Sequence, residues 1–278
     1  MELTVLADNN TFIDRYYLGE PGLSLLIKDG GTTVLFDTGY SGVFLNNAFK
    51  MGKDMRSIDY VVLSHSHLDH TWGLDPLIKY FSALYIEKRL FTQPVLVAHP
   101  QTFISVEDEA YKEVGSLLSE EKLKKHFPLR LSDRPLSLSS RLTFLGEIPR
   151  KNDFEGHLSF GRKQGSDAED TVVDDSALVY ESDQGLVIIT GCSHSGICNI
   201  VEYAKEVCGD DRIADIVGGF HLQSPSQRQL EGTLAYLKDA GPKQVHACHC
   251  TDLSSKIALS TVVPIREAGV GLALRYDG

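Results

Sequence analysis

The segment His65-Ser66-His67-Leu68-Asp69-His70 puts three imidazoles and a carboxylate within six residues. Imidazole nitrogen and carboxylate oxygen are donors that zinc favours and that iron and manganese also accept. In an extended or turning chain, His65 and His67 aim at one ion, and Asp69 and His70, past the turn, aim at a second one nearby. Packed or surface histidines are the plainer reading. They do not account for three of the chain's ten histidines and an acid gathered at the end of one apolar run.

The elements that must hold these donors are short. Residues 60–63 form an apolar strand that runs straight into the cluster. Residues 24–27 and 33–36 read as strands around a turn at Asp29-Gly30-Gly31, and residues 41–50 read as a helix. A second strand pair follows at 176–180 and 185–190. Then come a helix at 197–207, a strand at 213–217, an amphipathic helix at 227–240 closed by Gly241-Pro242, and a strand at 244–247. Two blocks repeat. Residues 24–39 align without a gap on 176–191 at an offset of 152, and residues 56–65 align on 212–221 at an offset of 156. A duplicated ββαβ half predicts a four-layer α/β/β/α sandwich built from two similar halves, one domain over residues 1–278. The repeat aligns His221 with His65, past a strand end where sites in α/β sheets gather. A hydrogen-bonded histidine without chemistry is its plainer reading. Residues 100–130, with charged runs at 106–114 and 120–126, read as a helical insertion. Ser193 or Ser195 is placed to cap the helix at 197, whose N-terminus would then favour an anion.

With 278 residues, 42% of them hydrophobic and 23% charged, the chain has the composition of a globular protein with a sizeable core. A net charge of −11 argues against general nucleic-acid binding. It is compatible with a small anionic substrate, because bound divalent cations make a pocket locally positive. Five cysteines, an odd number, argue against a disulfide framework and for reduced thiols in the cytoplasm. No basic segment followed by an apolar run marks a signal peptide, and no stretch approaches the roughly 18 apolar residues of a membrane span.

His65-X-His67-X-Asp69-His70 is similar to the HxHxDH motif of the metallo-β-lactamase superfamily, and Phe36-Asp37-Thr38-Gly39 resembles the Asp-Thr-Gly that precedes it there. The resemblance spans nearly the whole chain. It implies the αββα sandwich and two divalent metal ions, zinc first, held by His65, His67, Asp69 and His70 together with ligands from the second half. One of these should precede the second hairpin, where Asp175 stands in place of the usual histidine, with Asp174 beside it as the alternative. One should fall in Gly191-Cys192-Ser193-His194, where Cys192 matches by position and His194 is an equally good donor. The last should be His249. Further phrases resemble the branch of dihydropterin–(ribofuranosyl)aminobenzene-phosphate synthases: residues 146–150, 174–178, 190–196, 218–222 and 249–251. That resemblance places Arg150, Glu155 and His221 on the substrate side. The first expected activity is hydrolysis of a small phosphorylated or ester-type metabolite by a hydroxide held between the ions. Asp69 would orient this nucleophile and take its proton, and His221 would assist the leaving group. The second is condensation of a dihydropterin pyrophosphate with an aminobenzene ribotide at the same centre. The third is a non-catalytic, metal-dependent ligand sensor.

Overall fold

Strand β1 (Glu2–Ala7) pairs antiparallel with β2 (Ser24–Asp29), and β2 pairs with β3 (Thr32–Phe36) across the two-residue turn Gly30-Gly31. Gly30 takes a φ of +55°, the left-handed conformation such a turn needs. The computed structural model describes residues 1–278. Helix α1 (Val43–Lys50) buries Phe44, Leu45 and Ala48, and the chain returns as β4 (Tyr60–Val62), parallel to β3. The four-residue α2 (Leu68–Thr71), α3 (Leu74–Ile86) and β5 (Val95–Ala98) follow.

The helical insertion expected at 100–130 is not what forms. Strands β6 (Val106–Asp108) and β7 (Lys112–Glu113) make a hairpin, and only α4 (Glu120–Leu123) is helical. Two carboxylates account for the difference. Asp108 accepts hydrogen bonds from the N–H groups of Ala110 and Tyr111, at 2.8 and 3.2 Å, and so turns the chain. Glu113 accepts from the N–H groups of Val106 and Gly115, at 2.9 and 2.8 Å, and from the Ser105 hydroxyl. Such local bonds outcompete a helix too short to stand alone.

Strand β8 (Leu129–Leu131) closes the first sheet, and β9 (Leu136–Ser137) and β10 (Leu142–Phe144) open the second. Strand β11 (Arg162–Lys163) adds to the β6–β7 hairpin. The second half then runs β12 (Ala177–Ser182), β13 (Gly185–Thr190), α5 (Ile197–Cys208), β14 (Ile213–Gly219), α6 (Gln227–Ala240), β15 (Val245–Cys248) and α7 (Leu253–Leu259). Finally β16 (Ala273–Arg275) returns to pair with β1. The sheet orders are β16-β1-β2-β3-β4-β5-β8 and β15-β14-β13-β12-β10-β9.

Three apolar clusters make the layers. Leu25, Ile27, Phe36 and Val62 of the first sheet meet Leu178, Tyr180, Ile189 and Val217 of the second. Phe44 of α1 and Leu77 of α3 cover Leu35 and Val61 on one outer face. Ile200 of α5 and Leu237 of α6 cover Ile188 and Ile216 on the other. This is the four-layer α/β/β/α sandwich.

Each half is a hairpin, a helical connection and a parallel strand, but the register departs from the gapless alignment. Leu25 pairs with Phe36, which lies beside Val62. Their counterparts by pairing and by facing are Leu178, Ile189 and Val217. The hairpins therefore correspond at an offset of 153 and the strands after them at 155. By that register the core residue Phe220, not His221, is the counterpart of His65. A slip of one residue exchanges the two faces of a strand. Both faces of these strands are apolar and buried, so the sequence pattern does not choose between registers.

Candidate metal centre

Past β4 the chain enters the histidine cluster through Ser64, and a buried carboxylate organises the turn. Asp37, at a left-handed φ of +56°, accepts from the Ser64 N–H through Oδ1 at 2.7 Å. Its Oδ2 accepts from the Ser64 hydroxyl at 2.7 Å and from His70 Nδ1 at 2.7 Å. With its proton given to Asp37, Ser64 Oγ accepts from His65 Nδ1 at 2.8 Å. One carboxylate thus turns the Nε2 atoms of both His65 and His70 toward the site. The Thr38 N–H and hydroxyl hold the His70 carbonyl at 2.9 and 2.8 Å. The end of β13 approaches this turn closely: a Cβ on Gly191 would lie 2.1 Å from Ser64 Oγ, so only glycine fits.

Two donor groups meet in front of this scaffold. In one, ligand atoms of His65, Cys192 and His194 lie within 4.8 Å of one another. The His67 ring stands 4.7 Å from that of His65 and 4.6 Å from that of His194. In the other group, Asp69, His70, Cys192 and His249 converge. His70 Nε2 is 3.1 Å from Cys192 Sγ and 3.2 Å from His249 Nε2, and Asp69 Oδ2 is 3.3 Å from His249 Nε2. Cys192 belongs to both.

The residues fit a divalent cation in each group. His65 Nε2, His67 Nε2 and both ring nitrogens of His194 are buried without a hydrogen-bond partner. Buried polar atoms seldom go unpaired, and a cation among them would give each of the three rings a partner for one nitrogen. In the second group His70 commits Nδ1 to Asp37, and His249 commits Nδ1 to Asn9 Oδ1 at 3.1 Å. Their Nε2 atoms are left facing each other. Nitrogen, oxygen and sulfur donors in this mixture suit zinc.

Asp175, expected as a ligand, lies outside both groups. Its Oδ2 accepts from the Ser195 N–H at 2.8 Å and from the Ser195 hydroxyl at 2.5 Å, which braces the loop that carries His194. Asp174 is bound to Lys163 Nζ at 3.1 Å. The Asp175 Oδ1 is buried without a partner, and the second-half imidazole that stands beside His65 and His67 is that of His194.

The anion site expected at the N-terminus of α5 is filled by the chain itself. The buried Glu155 carboxylate accepts from the N–H groups of Cys198 and Asn199, at 3.3 and 2.9 Å. Burial raises its carboxyl despite those bonds. Ser193 and Ser195 do not cap the helix; the Ser193 hydroxyl donates to the Gly219 carbonyl at 2.6 Å. Arg150, the other residue expected on the substrate side, donates to the carbonyls of Thr171 and Val172, at 2.5 and 3.0 Å. His221 does reach the cleft. Its backbone takes a left-handed φ of +50°, and its ring lies 4.4 Å from that of His194 and 5.4 Å from Phe160. A cavity of about 1560 Å³ opens over His67, Asp69, Cys192, His194, His221 and His249.

Sequence reading missed Asp8 and Asn9. They hold His249, through its N–H at 2.9 Å and its Nδ1. Their only trace is a polar run, Asp8-Asn9-Asn10, directly after an apolar strand. Phe160, against the rings of His67 and His194, left no trace at all.

The two groups differ in charge. Burial, reinforced by neighbouring histidines, pushes His65 and His194 well below the ordinary imidazole value, and burial brings His67 down to about 4. All three are neutral at pH 7. In the second group burial also opposes charge on the histidines, but the acids overcome it. Asp69 raises His249 to about 9, and Asp69 with Asp37 raises His70. Burial likewise works to raise the Asp69 carboxyl, yet His70 and His249 hold it well below the usual carboxylate range. Burial pushes the Cys192 thiol far up.

Fold and centre together define a class. The profile of the metallo-beta-lactamase superfamily matches residues 18–206, and the chain belongs to that superfamily. Within it, an uncharacterized protein of Methanocaldococcus jannaschii is 30% identical over 259 residues, 93% of each chain. The 7,8-dihydropterin-6-methyl-4-(beta-D-ribofuranosyl)-aminobenzene-5'-phosphate synthase of the same organism is 30% identical over 272 residues, covering 92% of this chain and 89% of that one. The crystal structure of Tm1679, described as a metal-dependent hydrolase of the beta-lactamase superfamily, superposes with a TM-score of 0.81 over the full length of both chains, at 27% identity. No helix is long and apolar enough to cross a membrane.

Proposed function

We propose that the chain is a binuclear metal-dependent hydrolase of a small phosphorylated or ester-type metabolite. The observation that carries this reading is the pair of donor groups that share Cys192 and open onto one cavity. Zinc ions bound there would polarise the scissile bond and make water nucleophilic near neutral pH. The chain's own residues supply the rest. The side chain of Asp69 is a quarter exposed and, ionised at pH 7, can orient the attacking water and accept its proton. His221, kept neutral by burial, can donate a ring N–H to the departing oxygen. The rings of Phe160 and His194 bound the reacting space and limit bulk water. The likeness to Tm1679 supports hydrolysis. Five free thiols suit a reducing cytoplasm.

A second reading, the pterin-condensing synthase, is favoured by the relative that carries that name and covers most of the chain. The zinc-loaded protein should be offered a panel of phosphomonoesters, phosphodiesters and carboxylic esters, and separately a dihydropterin pyrophosphate with the aminobenzene ribotide. Hydrolysis that chelation abolishes supports the first reading. Coupled product without hydrolysis selects the second. A chain that binds zinc and turns over neither set contradicts both and leaves a ligand sensor.

A further inference from the structure

We propose that Lys256 and Arg266 form a remote anion subsite of the same cleft, which takes a phosphate carried by the substrate away from the reacting bond. The inference rests on the cleft being the reaction site.

In a chain of net charge −11, the cavity is lined by five carboxylates and only two Lys or Arg side chains, Lys256 and Arg266. Both come from the segment after His249. Lys256 lies on α7, where its N–H bonds the Asp252 carbonyl at 3.0 Å. Arg266 is held to the strand that leads into His249, through its N–H and the Val245 carbonyl at 2.8 Å. Their backbones are thus fixed, while neither side chain makes a hydrogen bond or an ion pair. Glu267, next to Arg266 in sequence, forms no ion pair with either cation, and three of the other carboxylates are occupied elsewhere. Asp252 accepts from the N–H groups of Ser224 and Ser255, at 2.8 and 2.7 Å, and Asp108 and Glu113 are committed to the hairpin turn.

Lys256 is half-buried. A cation that has lost part of its hydration without gaining a partner is destabilised, and an anion removes that cost. Two positive charges, one on a planar fork and one a mobile ammonium, match a dianionic phosphate better than a single carboxylate. Space agrees. Pockets for small ligands hold roughly 300–1,000 Å³, and this cavity, at about 1560 Å³, has room for a ligand that spans from the donor groups to α7.

The test uses the full ¹⁵N-labelled chain, zinc-loaded and metal-free, titrated at pH 7.5 with inorganic phosphate and with succinate. Backbone amides of residues 252–268 and the Arg266 Nε–H are followed. Phosphate should give saturable shifts there in the metal-free chain. Lys256→Gln and Arg266→Gln should each weaken binding at least fivefold, and the double variant should abolish it, with zinc content and circular dichroism unchanged. Shifts confined to residues 65–70 and 192–194, or phosphate binding intact in the double variant, overturn the subsite. Succinate binding tighter than phosphate overturns its assignment to a phosphate. Hydrolysis plays no part in the titration, so loss of the proposed activity and loss of the subsite are separate outcomes.

Discussion

The two donor groups share a cysteine but differ in what their ligands carry before a cation arrives. His65, His67 and His194 are kept neutral chiefly by burial, with neighbouring histidines reinforcing it, and ring nitrogens of all three are left without partners. His70 and His249 are just as enclosed, yet acids work against burial there: Asp69 raises both, with Asp37 behind His70, and His249 reaches about 9. The first group is a set of neutral donors that a cation can join without displacing a histidine proton. The second is a closed ion-pair network that a cation must open. The difference comes from one feature of sequence: the second group contains a carboxylate and the first does not.

The largest expected effect separates the groups outright. His194→Ala should lower bound zinc from two ions per chain to one and cut activity more than about a hundredfold, beyond the 10–100-fold usual for an outer-shell partner. Elemental analysis beside circular dichroism checks it; two retained ions would break the division into groups.

Next comes pH. His249 has its folded value raised to about 9, so in the metal-free chain it holds a proton at pH 7 that zinc must displace. Zinc affinity should rise from pH 7 toward 9 at both groups, because the shared Cys192 thiol must give up its proton at either, and about tenfold per pH unit more steeply at the second, where His249 releases one more. Calorimetric titration in buffers of different ionisation enthalpy counts the released proton. The same shift sets stability. A raised histidine contributes stability that is full below its ordinary value near 6.5 and is lost as pH rises through about 9. The metal-free chain should therefore melt at a lower temperature at pH 10 than at pH 7, and the zinc-loaded chain should be less affected.

Asp37→Asn tests what the groups have in common. Its carboxylate orients one histidine of each, so zinc affinity should fall about 10–100-fold at both. A loss at one group alone would show that Ser64 holds His65 independently. The smallest effect is Glu155→Gln, which keeps a cap on α5 but removes its charge. It should cost about 1 kcal/mol or less in thermal unfolding and leave zinc content unchanged.

What the sequence made legible follows the same physical line. The hairpins, the helices α5 and α6 and the His65–His70 cluster rest on local pattern, and local pattern is enough for them. The register of the repeat differs by one residue in each block from the gapless alignment, because strands apolar on both faces look alike when slipped. Residues 106–114 read as a helix because their charges suggest an exposed surface; the bonds of Asp108 and Glu113 to nearby N–H groups depend on geometry that composition does not carry. That Asp175 stands outside both donor groups while His194 joins one is hidden for a similar reason. The deciding contact, Asp175 to Ser195, joins residues on opposite sides of a hairpin. Asn9 reaches His249 across nearly the whole chain, a distance at which no spacing rule operates.

The division into two groups stands or falls on where the metal goes. Crystals of the zinc-loaded chain, measured at the zinc absorption edge, should show two anomalous peaks roughly 3.5–4 Å apart. One should lie among His65, His67 and His194 and the other among Asp69, His70 and His249, with Cys192 between them. A single peak, or a peak coordinated by Asp175 in place of His194, would contradict it.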